Sequence, residues 1–375
     1  MSSGGDQFAW LGLLKWSLSY TDGTENTTPT EMSAENKAFL EKVMSEGIVD
    51  EGVIMRRTLL HLVKALQEYL GVPNDAAPSE TNKLLSAIDA HQSKAKPTPS
   101  SSNPAEPDLP QLLDELDELR DIVEQIDFAR SFANMNGLPF LLGAASSGSL
   151  VPERLQTSCL SLIATLSQNN PDVQDVAKTS IAVSKLAEIY ASSASNSDAY
   201  KAKVLQALSA VVRGHEPNTV DFFASPQAIK AIKEGIVSGG IVCRRAVFLA
   251  RALLTDDNST PSRVAAFADV MEAVVELAGG SEEIDIRETC VGLLNGVLGK
   301  GGESAKTVYP YAAKIKETTS IVVEKWKEET NEEEKGYLAE DMAQWLALMK
   351  LLKDAVSGVA IKEEEEADAP PLLLK

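Results

Sequence analysis

Histidine and cysteine, the side chains best suited to metal binding and nucleophilic catalysis, are rare in this sequence of 375 residues. The histidines are His61, His91 and His215, and none has a cysteine, histidine or acidic residue at the short fixed spacing that a metal site requires. Three isolated cysteines favour free thiols in a reducing compartment over a disulfide framework. Two arginines follow Cys243 and could lower its thiol pKa, but we favour a structural role for this cysteine.

Two further stretches could suggest chemistry and do not support it. The glycine-rich stretch 299–304 is not a phosphate-binding loop, because Leu294 and Gly301 stand where such a loop needs a glycine and a serine or threonine. The acidic residues of 112–127 alternate with leucines and isoleucines at helical spacing, so we interpret them as the solvated face of an amphipathic helix. We therefore expect no enzymatic activity, no metal and no cofactor.

Helical periodicity dominates the chain, and no alternating run bounded by hairpin turns predicts a strand. Four similar segments begin at Cys159, Val204, Ala246 and Cys290, which are 45, 42 and 44 residues apart. A period of about 40–47 residues in an all-helical chain is typical of HEAT and armadillo repeats. Because each unit alone leaves its apolar face uncovered, neighbouring units must stack. The sequence thus predicts an all-α fold, an armadillo-like right-handed helical solenoid.

Each of these four helices carries two stripes of side chains. The stripe that starts at Cys159 is small or aliphatic and is predicted to face the core. The second stripe, which includes Ala210, is predicted to point out of the stack; in armadillo-like solenoids this helix lines the concave side. We predict that a protein partner contacts this stripe at Ser161, Gln168, Gln206, Arg213, Arg245, Phe248 and Thr255. An ordinary solvated helix face is the alternative.

Composition divides the chain further. We predict a flexible N-terminal segment (1–32), an N-terminal helical region (33–73), a Pro- and Ser-rich linker (74–108), armadillo-like repeats (109–300), a C-terminal helical cap (301–359) and a disordered acidic tail (360–375).

With 55 acidic and 35 basic residues the formal charge is −20, which repels phosphate backbones and anionic lipids. We therefore expect neither nucleic acid nor membranes as partners. No secretion signal is recognised, so we expect a cytoplasmic protein, and we expect a monomer.

Several motifs, taken in their order along the chain, resemble one known family. They are LLKWSLSY at 13–20 with TDGT at 21–24, the stretches 36–44 and 112–129, GLPFLL at 137–142, QNNP at 168–171 with Gln174 after it, and DIRE at 285–288. They resemble the Fes/Hsp70-binding-protein family, the armadillo-repeat nucleotide exchange factors of heat shock protein 70 chaperones, in its cytosolic type. The resemblance covers roughly residues 8–70 and 109–298.

The resemblance implies a co-chaperone without covalent chemistry. The concave face would bind the nucleotide-binding domain of heat shock protein 70 and open its cleft, so that ADP leaves. The N-terminal segment, with Leu14, Trp16 and Leu18, would help release the chaperone's client; a helix docked on residues 33–70 is the alternative there. Arg245 matches a basic position of the family. The alternative function is an armadillo-type protein-binding scaffold without exchange activity.

The sequence also departs from the family pattern in three places. Gln156 stands where the family often has arginine. Gly292, Gly296 and Gly299 are predicted to leave the outward stripe of the fourth repeat bare. Residues 300–375 cannot be placed on the pattern.

Overall fold

A computed structural model describes residues 51–70 and 108–367, with side chains as far as Asp354. The chain divides into two compact units, Met1–Arg56 and Arg57–Lys375. Within the described ranges every regular element is a helix and no strand occurs. The predicted N-terminal segment (1–32) and almost all of the predicted linker (74–108) lie outside the described residues.

The first described helix is α1 (Glu51–Leu70), of which the second unit contains the part from Arg57 onward. In that part, Leu59, Leu62 and Leu66 are buried, as the helical spacing of these leucines predicts. The first six residues of α1 are the described portion of the first unit.

The rest of the second unit is a series of helical triplets preceded by α2 (Leu109–Val123). The first triplet is α3 (Ile126–Asn134), α4 (Gly137–Ala145) and α5 (Glu153–Ser167). The second is α6 (Pro171–Thr179), α7 (Ala182–Ser192) and α8 (Asp198–Val212). The third is α9 (Glu216–Ala224), α10 (Pro226–Val237) and α11 (Gly240–Thr255). The fourth is α12 (Pro261–Ala265), α13 (Met271–Gly280) and α14 (Ile284–Gly299). The fifth is α15 (Gly302–Lys306), α16 (Ala312–Glu328) and α17 (Glu332–Ala367).

Equivalent helices of successive triplets stack on one another. The helix α2 and the third helices of the triplets form one continuous ladder. Its rungs are α2, α5, α8, α11, α14 and α17, and each rung contacts the next. The second helices α4, α7, α10, α13 and α16 form a parallel layer in the same way. This arrangement confirms the predicted all-α solenoid. It also extends the repeat order through residues 302–367, which sequence resemblance alone could not place.

The stacking buries the stripe that was predicted to face the core. Cys159, Val204, Ala246 and Cys290 are at most 1 % exposed and occupy the same position in four successive third helices. Close packing explains why cysteine, valine and alanine interchange there, because a small apolar side chain fits between neighbouring rungs.

Local signals explain where the helices begin and end. Proline stands in the first turn of α6, α9, α10 and α12, where its missing N–H costs nothing, and the Ser225 hydroxyl caps α10 by accepting from the N–H of Ala228. The chain leaves α5 and α8 through left-handed residues, Asn169 (φ 54°) and Gly214 (φ 70°). Ile181 (φ 50°) adopts the same conformation before α7, which is strained for a β-branched residue.

The last described helix, α17, has helical backbone geometry through Ala367. Glutamate, lysine and alanine are strong helix formers, which favours a long helix here. The sequence prediction of a disordered acidic tail over 360–375 stays a prediction. Trp345, Leu348 and Leu352 anchor α17 by their burial. In the part of the chain that the structure describes, no helix combines the length and apolarity that crossing a membrane requires.

Candidate partner-binding surface

A row of accessible side chains runs across the ladder of third helices, and we call this row the ladder face. Its members are Arg120 on α2, Ser158, Ser161 and Thr165 on α5, Lys203, Gln206 and Arg213 on α8, Arg245, Phe248, Ala252 and Thr255 on α11, and Thr289, Gly292 and Gly296 on α14. All are half-exposed except Phe248, which is exposed. Ala210 was predicted to belong to this row but is buried, with 8 % of its surface exposed.

The residues predicted to contact a partner are all accessible. Five of them are half-exposed members of the ladder face, Phe248 is 43 % exposed, and Gln168 is exposed at the C-terminal cap of α5. The structure places them on three successive helices, α5, α8 and α11, or at their ends, and their role in binding remains a prediction. Leu14, Trp16 and Leu18, predicted to act in client release, lie outside the described residues.

Two of the predicted residues, from adjacent repeats, contact each other. The guanidinium carbon of Arg213 lies 4.8 Å from the centre of the Phe248 ring, which is a cation–π contact. Arg213 caps the C-terminus of α8, and its backbone N–H donates to the carbonyl oxygen of Ser209. An exposed aromatic ring held under a guanidinium group is a rigid contact of the kind that dominates many protein interfaces.

Three cations on separate rungs form what we call the cationic cluster: Arg120 on α2, Lys203 on α8 and Arg245 on α11. Burial lowers the pKa of Lys203, and the charges of Arg245 and Arg120 lower it further. Burial also lowers the pKa of Arg245, with a second contribution from Arg244. Positive charge is therefore concentrated on the ladder face of a chain whose net charge is −20.

Carboxylates near the cationic cluster pair with one of its members, Arg120, and with Arg244, the chain neighbour of Arg245. Arg120 Nη1 lies 2.9 Å from Asp117 Oδ1, and Arg244 Nη1 lies 3.3 Å from Asp285 Oδ2. Lys203 Nζ donates to the neutral amide oxygen of Gln206 at 3.2 Å. Within the described residues, neither Lys203 nor Arg245 forms an ion pair. These two cations remain available to an external anion.

Two of the glycines that were predicted to leave α14 bare are covered by side chains of α11. A Cβ atom at Gly292 would lie 2.7 Å from the guanidinium carbon of Arg251, and one at Gly296 would lie 2.3 Å from the Thr255 methyl group. Side chains of the neighbouring rung thus lie over these two positions, although both glycines remain half-exposed. At Gly299 nothing lies within 4 Å, so the surface is open there.

Buried amide side chains fix the ends of the ladder helices. Gln174 on α6 is 1 % exposed, and its Nε2 donates to the carbonyl oxygens of Ala210 and Arg213, both at 2.9 Å. Asn218 on α9 is fully buried, and its Nδ2 donates to the carbonyl oxygens of Val211 and Gln174, again at 2.9 Å. These bonds satisfy carbonyls at the C-terminus of α8 and hold the backbone of Arg213 in place.

Gln156 has a similar structural role. It is 2 % exposed, and its Nε2 donates to the carbonyl oxygen of Val151 at 2.6 Å. Its Oε1 accepts from the hydroxyl of Tyr200 on α8 at 3.1 Å, and that hydroxyl also donates to Ala145. The position at which the sequence departs from the family pattern is thus inside the molecule and does not face a partner.

The remaining reactive groups are buried or paired. Burial raises the pKa of Cys243 to about 11, which overrides any lowering by its neighbouring arginines, and it raises the pKa of Cys159 and Cys290 to about 12. His61 Nδ1 lies 2.7 Å from Glu115, and His215 Nε2 lies 3.1 Å from Asp175. Among the described residues, no three side chains of histidine, cysteine, aspartate or glutamate are grouped as metal ligands would be.

Sequence reasoning missed Arg120 as a member of the ladder face, and it missed Arg251, whose side chain lies over Gly292. Arg120 lies on α2, which precedes the four aligned repeat helices, and Arg251 lies outside both stripes and reaches the surface through its length. A search for cations on each helix of the ladder, next to small residues on the following rung, could have found both.

No protein-family model matches the sequence, and no curated protein matches it. Among solved structures, the chain is similar to a designed armadillo repeat protein in complex with the peptide (KR)4, at 14 % identity and a TM-score of 0.51 over 65 % of this chain and 95 % of that chain. It is also similar to a computationally designed armadillo repeat protein for modular peptide recognition, at 14 % identity and a TM-score of 0.50 over 66 % and 95 %. An engineered protein matches at 11 % identity and a TM-score of 0.54 over 84 % of this chain and 71 % of that chain. The chain therefore shares the armadillo-like repeat fold.

Proposed function

We propose that this protein is a non-catalytic binding protein that holds a globular protein partner on the ladder face. The observation that carries the proposal is the Arg213–Phe248 contact, because it places an exposed aromatic ring and a guanidinium group on a rigid surface. The buried bonds from Gln174 to the end of α8 support the same conclusion, since they fix this contact before any partner arrives. Two similar designed proteins, one in complex with a peptide and one made for peptide recognition, also support a binding role.

The partner that we propose is the nucleotide-binding domain of heat shock protein 70, and the activity is nucleotide exchange. Support for this finer assignment comes from the sequence motifs that resemble the Fes/Hsp70-binding-protein family. The physical requirement is that the solenoid binds the open, nucleotide-free state of the chaperone more tightly than the closed state. By reciprocity, ADP then weakens binding of the solenoid by the same factor. The proposal includes a cytoplasmic location and a monomeric state.

The test is stopped-flow release of a fluorescent ADP from the chaperone, with and without this protein. We expect the wild-type protein to accelerate release and the double variant Arg245→Ala, Phe248→Ala to lose most of that acceleration. A matched control replaces an exposed cation and an exposed apolar residue of the second-helix layer, Lys230 and Val237 on α10, by alanine. Both double variants change surface residues, so their thermal unfolding should match that of the wild type.

The outcomes separate the two candidate functions. Accelerated release that depends on Arg245 and Phe248 but not on the control pair supports exchange activity. Binding of the chaperone without any change in the release rate supports the alternative, a protein-binding scaffold without exchange activity. Equal losses in both double variants would show that the ladder face is not the binding surface.

A further inference from the structure

The sign of the charge on the ladder face is opposite to that of the chain as a whole. Lys203 and Arg245 are half-exposed, lie on adjacent rungs and repel one another, and Arg120 adds a third positive charge from α2. Half-buried like charges cost free energy, and a negatively charged ligand would reduce that cost. The surface therefore favours an anion over a neutral or cationic ligand.

The rung between Arg120 and Lys203 is built from small side chains. Ser158, Ser161 and Thr165 of α5 are half-exposed and present only hydroxyl groups to the ladder face. Longer side chains at these positions would separate the two cations from an incoming ligand. With serine and threonine there, a chain of protein can lie across α5 and reach cations on both sides of it.

We propose that the cationic cluster binds an acidic segment of the protein partner, with its carboxylates paired to Arg120, Lys203 and Arg245. The proposal rests on the proposed function, in which the ladder face is the binding surface, and it adds the chemistry of the partner. Carboxylates form charge-assisted hydrogen bonds with both guanidinium and ammonium groups. An extended nucleic acid fits this surface poorly, because its phosphates would continue beyond the cluster over a protein of net charge −20.

The probe for this site is a fluorescein-labelled hexaglutamate peptide, titrated into the intact chain of 375 residues at low salt and followed by fluorescence anisotropy. We expect saturable binding that weakens when salt screens the cluster. Lys203→Glu and Arg245→Glu should each weaken binding about tenfold or more, because each reverses one charge of the cluster. Lys316→Glu is the matched control, since Lys316 is an exposed cation on α16, away from the ladder. Thermal unfolding shows which variants are folded, and Arg120→Glu replaces any that are not.

The proposal would be overturned by no binding of hexaglutamate, by equal weakening in Lys316→Glu, or by equally tight binding of an oligothymidylate of the same charge. Binding that appears only after the glutamates 363–366 of this chain are replaced by glutamine would assign the cluster to the chain's own acidic run and would also overturn it. These results are independent of the ADP-release assay. Exchange activity without hexaglutamate binding would refute this inference and leave the proposed function standing.

Discussion

Replacing Gln174 by alanine should destabilise the solenoid strongly, although Gln174 lies on none of the predicted stripes. Its side-chain amide donates to the carbonyl oxygens of Ala210 and Arg213 at 2.9 Å, and the residue is 1 % exposed. Alanine leaves both carbonyls without this donor, the Ala210 carbonyl in a buried position and the Arg213 carbonyl in a partly buried one. Each buried polar group left unsatisfied costs about 1–3 kcal/mol, so we expect a loss of about 2–4 kcal/mol of unfolding free energy.

The charge variant Gln174→Glu sharpens this prediction. A carboxylate has nearly the shape of the amide but cannot donate, and it would face two carbonyl oxygens with a negative charge. We therefore expect Gln174→Glu to be at least as destabilising as Gln174→Ala at neutral pH, although it preserves the volume of the side chain. If volume rather than hydrogen bonding determined stability, the glutamate variant would be the milder of the two.

Equilibrium unfolding in urea, followed by far-ultraviolet circular dichroism, measures these effects as shifts of the midpoint. Gln168→Ala is the control, because this exposed glutamine lies at the end of α5 and its loss should change stability by less than about 0.5 kcal/mol. A Gln174→Ala midpoint that coincides with that of Gln168→Ala would refute the reasoning. So would a glutamate variant as stable as the wild type.

Three further predictions concern single residue types. Ile181→Asn should raise the stability by about 1 kcal/mol, because asparagine tolerates a φ of 50° better than isoleucine and the side chain is 61 % exposed; a lower urea midpoint would contradict this. Ellman's reagent should detect no thiol in the folded protein and three in denaturant, since Cys159, Cys243 and Cys290 are buried with raised pKa values; fast labelling of one native thiol would disprove it. Hydrogen bonds from Ser197 and Asn196 hold the pKa of Glu153 below its usual value, so its carboxylate adds stability above the unfolded pKa, which is lost as the pH falls through the folded pKa. Glu153→Gln should therefore flatten the fall of the urea midpoint between about pH 5 and pH 3, and an unchanged slope would count against this account.

The ladder itself could be predicted from the sequence, because it depends on periodicity. The interval of about 44 residues fixes which helices are equivalent, and the spacing within each helix fixes which face is buried. Cys159, Val204, Ala246 and Cys290 are buried as predicted. The burial of such positions can be predicted without knowing how one repeat is rotated against the next.

The contacts between repeats could not be predicted in the same way. The pairing of Arg213 with Phe248 depends on the crossing of α8 and α11, and the covering of Gly292 by Arg251 depends on how far a long side chain reaches from α11 to α14. Gln174 was noticed as part of a motif, but its burial follows from the position of the end of α8, which periodicity does not give. Side chains that act between units are thus harder to predict than those that act within them.

The buried amide side chains in the middle of the array predict which part of the molecule unfolds first. Asn218 fastens the third triplet to the second, and Gln174 holds α6 against the end of α8 within the second, whereas α16 in the fifth triplet buries only Ile315 and Thr319. Backbone amides at that end should exchange with deuterium sooner than those of α8, because local opening there disrupts less packing. A force applied to the two ends of the array would then unfold the fifth triplet first and leave the Arg213–Phe248 region folded.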